Sequence, residues 1–365
     1  MKFEKGKMKT PNPSLIKQPT SKENLPSISV VTPTFNSEKT LEQCLNSIAN
    51  QDYPQELVEV IIVDAGSDDR TLEIAHKYTN RIYPNNLKTG EAGKAAGVKE
   101  ARNEIIALID SDNVLPEKNW FQRMVTPFHD PEIVGSEPLY YTYRKEDGYI
   151  TRYCAFLGMN DPLCLFLGNY DRYSALTGKW TEMAHKEENK GDYLKIELQK
   201  RYLPTIGANG FFIRRNALKK CRVNNYLFDI DVVYELLNLK NETNSTKSIR
   251  FAKVKTGIIH IFSGDLKTFA RKQRRRINDY LYYRKIGARK YPWQNTSKSK
   301  LLKFILSCLT VFPLLFQTLK GYIKKPDKAW LFHPVACWLT LWEYGRGIIA
   351  GLISVRQFNR DGWKQ

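Results

Sequence analysis

Three short polar loops, each placed directly after an apolar run, hold the residue types that could do chemistry. Thr32-Pro33-Thr34-Phe35-Asn36 follows Ile28–Val31, Asp64-Ala65-Gly66-Ser67-Asp68-Asp69 follows Val58–Val63, and Asp110-Ser111-Asp112-Asn113 follows Ile105–Ile109. A carboxylate at the end of such a run can accept hydrogen bonds from a base or a sugar. Two carboxylates one residue apart, as in Asp110 and Asp112, can offer oxygens to a hard divalent cation that keeps positions open for substrate phosphates. A lone Asp-x-Asp is a common solvated turn. Three polar loops in one regular pattern are not.

The elements that must position these loops follow from the same stretch. Short apolar runs read as buried strands at Ile28–Val31, Val58–Val63, Arg81–Tyr83 and Ile105–Ile109. Between them Leu41, Leu45 and Ile48 recur at helical spacing behind Ser37 as an N-cap, and Thr71–Tyr78 and Ala92–Ala101 read as helices. Strands alternating with helices imply an α/β fold with a mostly parallel sheet and helices on both faces. In such sheets ligands bind beyond the carboxyl ends of the strands, where the three loops lie. After Pro138 the pattern weakens. Residues 139–203 carry many Tyr, Phe and Leu without a period. Beyond them, strands are expected at Ile206–Arg215 and Thr256–Phe262, and helices at Asp231–Leu239 and Leu266–Arg284.

The formal charge of +19 over 365 residues is unevenly spread. Residues 1–26 carry +4, residues 27–262 carry −1, and residues 263–365 carry +16. A hydrophobic share of 42% supports a sizeable core and excludes a wholly disordered chain. Residues 1–26 are too polar to bury themselves and read as a flexible basic tail. The six cysteines show no CxxC spacing, which suits a reducing compartment. No charged-then-apolar leader is read before residue 26.

Ser29–Leu45, Val60–Asp69 and Ile105–Asp112 together resemble the nucleotide-sugar half of family 2 glycosyltransferases, inverting enzymes with a Rossmann-like GT-A fold. The resemblance covers about residues 27–265. It implies that Pro33, Thr34 and Asn36 lie along the nucleotide and that Asp64 meets the base, with Ala65 where a second Asp is common. It implies that Asp110 and Asp112 form the metal motif for Mg or Mn. Lys94 and Arg102 fall where basic groups of the family face the nucleotide. The family's general base is an acidic residue at the head of a later helix; Asp231 aligns best, and Asp229 is the other candidate because Ile230 replaces the usual Glu. His260 stands where related enzymes place a His near metal or diphosphate.

Arg271–Arg276 is the densest charge run, and at most two or three of its residues can face one diphosphate. Arg274 and Arg275 are the candidates there, guanidinium groups being good phosphate partners. Gln273–Arg276 is loosely similar to a Gln-x-x-Arg-Trp element of processive synthases, with Ile277 in place of Trp. Leu301–Leu319 is apolar but for Lys303 and spans about 28 Å as a helix, just enough for a hydrocarbon core. A narrow polar stripe and the lysines around Lys320–Lys328 instead favour a hairpin lying on or dipping into the cytoplasmic leaflet.

The expected organisation is a tail (1–26), a catalytic domain (27–265, divided into a nucleotide-sugar half 27–137 and an acceptor half 138–265), a basic helical segment (266–298), apolar membrane-associated helices forming a C-terminal hairpin (299–356), and a tail (357–365). The expected activity is metal-assisted, inverting transfer from a nucleotide-sugar donor to a glycan or lipid-linked acceptor at the cytoplasmic membrane face. Nucleic acid is not an expected partner, since the C-terminal charge is interleaved with apolar helices. Two other readings are a non-catalytic sugar-nucleotide-binding relative and a basic nucleic-acid-binding protein.

Overall fold

Side chains alternate between two faces along the first strands. Val31, Ile61, Val63, Ile106 and Leu108 enter one apolar core with residues of the helices α3 and α8. Ile28, Val30, Ile62, Ile105 and Ala107 enter a second core, on the other face, with residues of α1, α2 and α4. The elements of this half are β1 (Ile28–Thr34), α1 (Leu41–Ala49), β2 (Val58–Asp64), α2 (Thr71–His76), β3 (Ile82–Pro84), α3 (Gly90–Glu100), β4 (Ile105–Leu108), β5 (Asn113–Val114) and α4 (Trp120–Val125). The elements β6 (Ile133–Thr142), α5 (Tyr149–Leu157), α6 (Pro162–Leu167), β7 (Lys186–Asn189), β8 (Tyr193–Leu198), β9 (Phe211–Arg214), α7 (Arg215–Leu218), α8 (Asp229–Lys240) and β10 (Ile249–His260) follow. The chain ends in α9 (Leu266–Lys285), α10 (Lys298–Thr310), α11 (Phe312–Lys324) and α12 (His333–Ile353). This computed structural model describes residues 25–170, 172–207, 209–240, 248–292 and 297–358. Of the two expected tails, only residues 25–26 and 357–358 fall within that set.

The ten strands form one sheet in the order β3-β2-β1-β4-β9-β6-β10-β8-β7, with β5 added beside β10. The expected α/β sheet is present. β1 to β4 are mutually parallel where they pair, as is β6 with β10, while β9, β8, β7 and β5 pair antiparallel. β9 is the keystone, joining β4 of the first half to β6 of the second.

Two expected strands have different limits. The first of them, β9, starts only at Phe211, because Gly207, Asn209 and Gly210 before it all take positive φ. β10 begins at Ile249, seven residues before the expected start, and bulges against β6 between Val254 and Gly257.

The apolar stretch Leu301–Leu319 is two helices rather than one. Val311 adopts φ +62° and Pro313 cannot donate to the preceding turn, so α10 and α11 meet at 91°. Among the described residues no single helix is long and apolar enough to cross a membrane. α5, α6, α9, α10, α11 and α12 share a third core around Tyr153, Phe156, Phe269, Phe304 and Trp330. Gly321 lets α11 close on Trp330: a Cβ there would stand 2.5 Å from the indole ring.

Candidate active site

The carboxyl ends of β1 and β2 build a self-supporting floor. Asp64 accepts from Thr34 Oγ1 (2.8 Å), Ser67 Oγ (2.6 Å) and the backbone N–H groups of Gly66 and Ser67 (2.9 and 2.8 Å). Asn36 joins the same structure: its N–H donates to Ser67 Oγ and its Oδ1 accepts from the N–H of Asp68, both at 2.9 Å. Pro33 packs on Gly93, where a Cβ would come within 2.8 Å of it. An ionised carboxylate has about four acceptor sites, and loop donors take four from Asp64. Asp64 therefore shapes the loop that is expected to meet the base. Thr34 and Asn36 brace that loop in the same way.

The Asp110–Asp112 turn is fixed from two sides. Asp110 N–H donates to Asn113 Oδ1 (3.1 Å), and Asn113 N–H returns to Asp110 O (2.9 Å). The strand β5 that follows sets Asn113 opposite His260 in the ladder, and Ile261 N–H donates to Asp112 O (2.9 Å). This pairing carries His260 Nε2 to 3.2 Å from Asp112 Oδ2, across 148 positions of sequence. The expected neighbourhood of Asp110, Asp112 and His260 is thus formed. Lys272 Nζ, from α9, reaches the same Oδ2 at 3.4 Å. Burial alone would raise the Asp112 carboxyl, but His260 and Lys272 hold it well below the usual carboxylate range. Burial lowers Lys272 below an ordinary lysine.

Lys94 and Asp229 stand beside this pair. Lys94 opens the second turn of α3, five residues past the Thr89 N-cap. Its Nζ is 2.8 Å from Asp229 Oδ2 and 3.2 Å from Asp110 Oδ1. Burial works against its charge, but the two carboxylates outweigh it and raise the ammonium above the usual lysine range. Asp110 is raised, chiefly by burial. The head of α8 reaches Lys94 because Gly207 packs directly on Asp229, where a Cβ would lie 2.7 Å from its carbonyl carbon; φ +135° there also needs glycine.

Asp231, two residues on, faces elsewhere. Arg289 grips it through Nε (3.1 Å) and Nη2 (2.9 Å), and Lys290 N–H adds a third donor at 2.6 Å. Residues i and i+2 of a helix point about 200° apart, so only one of the two carboxylates can face Lys94. The geometry puts Asp229, and not the better-aligned Asp231, beside the Asp110–Asp112 turn.

Three other expected contacts are absent from the site. Arg102 is exposed at the amino-terminal edge of the sheet, where its N–H donates to Glu59 Oε1 (2.7 Å). α3 runs back across the sheet, so it leaves Lys94 at one edge and delivers Arg102 to the other. Arg274 forms a two-pronged pair with Glu343 of α12 (2.7 and 2.8 Å), and Arg275 approaches Asp279 on its own helix at 3.9 Å. The α9 face turned to the site instead presents Lys272, with Gln273 and Arg276 beside it. Sequence reasoning found the run but not the residue. Asn160 and Asn209, which flank His260, carried no sequence signal beyond the glycines around Asn209.

A divalent cation fits the residues present. Asp112 and His260 offer one carboxylate oxygen and one imidazole nitrogen 3.2 Å apart, a spacing that two ligands of one ion can share. Among the described residues no group of three or more His, Cys, Asp or Glu is placed to hold an ion alone. Other positions would remain for phosphate oxygens and water, as is usual for Mg at phosphate sites. Charge points the same way. Asp110, Asp112 and Asp229 outnumber Lys94 and Lys272, so an incoming diphosphate needs further positive charge.

Residues 29–222 match the model of the glycosyl transferase family 2. The chain is 42% identical over 96 residues to the poly(ribitol-phosphate) beta-N-acetylglucosaminyltransferase TarS of Staphylococcus aureus, covering 24% of this chain and 16% of TarS. It is 29% identical over 143 residues to the glycosyltransferase AglE of Haloferax volcanii, covering 37% of this chain and 46% of AglE. The chain therefore spans less than half the length of either curated relative. Among solved structures, the mannosyltransferase PcManGT of Pyrobaculum calidifontis, in complex with GDP-Man and Mn2+, aligns over 88% of each chain with 13% identity and a TM-score of 0.48. The family match takes in β1 to β9 and, with them, the three strand-end loops, Lys94 and the turn that seats Asp229. The chain belongs to glycosyl transferase family 2.

Proposed function

We propose that this enzyme transfers a sugar, with inversion, from a nucleotide-sugar donor to a hydroxyl of a glycan or lipid-linked acceptor, and that it does so at the cytoplasmic face of a membrane. The observation that carries the reading is Lys94, which bridges Asp110 of the strand-end motif and Asp229 at the head of α8. That bridge sets an acidic side chain beside the diphosphate end of the site. In this mechanism Asp229 accepts the proton of the acceptor hydroxyl as its oxygen bonds to the anomeric carbon. The bond from that carbon to the diphosphate oxygen breaks, and the nucleoside diphosphate leaves. Lys94 orients Asp229, and Lys272 faces the diphosphate beside Asp112. Asp112 and His260 would hold Mg or Mn, which supplies charge neutralisation of the leaving group.

The membrane part of the proposal rests on a separate surface. Leu302, Leu306 and Leu309 of α10, Phe312, Phe316, Leu319 and Ile323 of α11, and Trp342, Ile349 and Leu352 of α12 are all exposed at helical spacing. Lysines surround them at positions 298, 300, 303, 320, 324, 325 and 328. Apolar faces ringed by cations suit an anionic lipid surface on which the helices lie. The proposed domain division follows: residues 27–265 form the catalytic unit, residues 266–298 link it, and residues 299–356 dock on lipid.

The test is turnover across a panel of nucleotide sugars with a lipid-linked acceptor, with and without EDTA. The anomeric configuration of the product is read by NMR. Inverted product, loss of activity in EDTA and restoration by Mg or Mn are expected; retention of configuration overturns the proposed mechanism.

A further inference from the structure

His260 has two ring nitrogens, and the structure is specific about each. Nε2 faces Asp112 Oδ2. Nδ1 faces two side-chain amides, Asn160 Nδ2 at 3.1 Å and Asn209 Nδ2 at 3.4 Å. This arrangement suits the tautomer with its proton on Nε2, donating to Asp112. A divalent cation shared by Asp112 and His260 requires the other tautomer, since the Nε2 lone pair must then bind the ion. The proton moves to Nδ1, and Nδ1–H needs an acceptor.

The two amides differ in their freedom to provide one. Asn209 is pinned at both ends: its Oδ1 accepts from Asn113 Nδ2 (3.0 Å), and its Nδ2 donates to the Tyr141 hydroxyl (2.8 Å). Asn160 Oδ1 is buried and has no hydrogen-bond partner among the described residues. Such an orphan is costly unless another state uses it. A half-turn of the Asn160 amide exchanges its oxygen and nitrogen with no change in the backbone, and so presents the orphan oxygen to Nδ1–H. The backbone is held still meanwhile. Asn160 O accepts from Gln273 Nε2 (2.9 Å) and Arg276 Nη1 (3.3 Å), and Arg276 Nη1 also donates to Gln273 Oε1 (2.6 Å). The Gln273 and Arg276 element of α9 is thus a clamp on Asn160.

We propose that Asn160 is a positioning residue that sets the tautomer of His260, its amide turning over when a divalent cation joins Asp112 and His260. An uncharged amide can serve both states, donating to a bare Nδ1 and accepting from Nδ1–H. The inference rests on the proposed cation site and adds to it the group that prepares His260 for the ion.

The experiment measures Mn2+ binding to the full chain by the EPR signal of the free ion, at one pH, for the wild type, Asn160→Leu and Asn160→Asp. Asn160→Leu removes the acceptor, and an affinity about 10–100-fold weaker is expected, as for the loss of an outer-shell partner of a metal-bound histidine. Asn160→Asp keeps an acceptor and is expected to bind within a few-fold of the wild type or tighter. Wild-type affinity in Asn160→Leu, or equal losses in both variants, overturns the proposal. A wild type that binds no Mn2+ removes the cation site itself, which is a separate failure. Two-bond 1H–15N correlation of 15N-histidine-labelled wild type, with and without Mg2+, decides the matter even if Asn160→Leu does not fold. His260 is expected as the Nε2–H form without Mg2+ and the Nδ1–H form with it. The same tautomer in both overturns the proposal.

Discussion

Lys94 Nζ lies 2.8 Å from Asp229 Oδ2, although 135 positions separate the two residues. Asp231, which follows the same helix start, is instead held by Arg289. The two carboxylates should therefore fail differently. Asp229→Asn is expected to fold normally, bind donor and lose about 10²–10⁴ in turnover, as when a general base is removed. Asp231→Asn leaves the largely buried Arg289 without its charged partner and should lower stability by about 1–3 kcal/mol. Its folded fraction should remain active. Denaturant titration beside single-turnover rates separates the two, and a dead but fully stable Asp231→Asn would reverse the assignment.

The basic run on α9 should divide by face. Lys272→Met removes the ammonium beside Asp112 and is expected to weaken nucleoside diphosphate binding about tenfold or more, the scale of a charge-assisted hydrogen bond. Arg275→Gln should leave that binding unchanged. Arg274→Gln should also leave it unchanged, and should loosen α12 by freeing the buried Glu343. Calorimetric titration of the three variants with the diphosphate checks this; equal losses would show that the run acts only through its total charge.

Acid should weaken the C-terminal helical module through His333. Its ring is fully buried between the Tyr153 hydroxyl (2.7 Å from Nδ1) and Gln317 Oε1 (2.8 Å from Nε2). Burial lowers its pKa to about 4. The unfolded chain takes up a proton near pH 6.5, and the folded one does not until about pH 4. Stability should thus fall as pH drops through that window and level off below it, by about 3 kcal/mol at most. His333→Gln should flatten this part of the pH profile in denaturation of the detergent-solubilised protein.

Vesicle flotation tests the apolar faces of α10, α11 and α12. Each large side chain that leaves water for lipid contributes about 1.5–3 kcal/mol. Phe312→Ser, Phe316→Ser and Ile323→Ser are each expected to lower partition into anionic vesicles by about tenfold or more. High salt should weaken the wild-type protein's partition only in part, because the apolar share is insensitive to it. Complete release by salt would leave only an electrostatic contact.

The first half of the fold was legible because β1, β2 and β4 are buried on both faces and bounded by polar turns. Short range patterns suffice there. Residues 139–203 resisted because α5 is buried on nearly every side, which removes the helical period, and because Tyr, Phe and Leu serve helix, loop and core alike. The carboxylates and His260 were legible by type and place. Which of Asp229 and Asp231 faces the site was not, because that depends on the turn at Gly207 and on Arg289, both distant from α8 in sequence. Lys272 was hidden among five polar neighbours. The break at Val311 was unread because the residues on either side are equally apolar.

β9 closes the sheet by entering between β4 and β6, with Leu108 paired to Phe211 and Ile105 to Arg214. Until β9 exists, one side of β4, an apolar Ile-Ile-Ala-Leu segment, has no partner in the sheet. About a hundred residues of synthesis separate the two strands, which at ribosomal rates is about 5–20 s. During that interval the nascent chain carries an open, sticky edge of the kind that recruits chaperones or other chains. The same delay keeps Asn209, Asp229 and His260 out of place, so an unfinished chain has the three strand-end loops but not the residues that meet them.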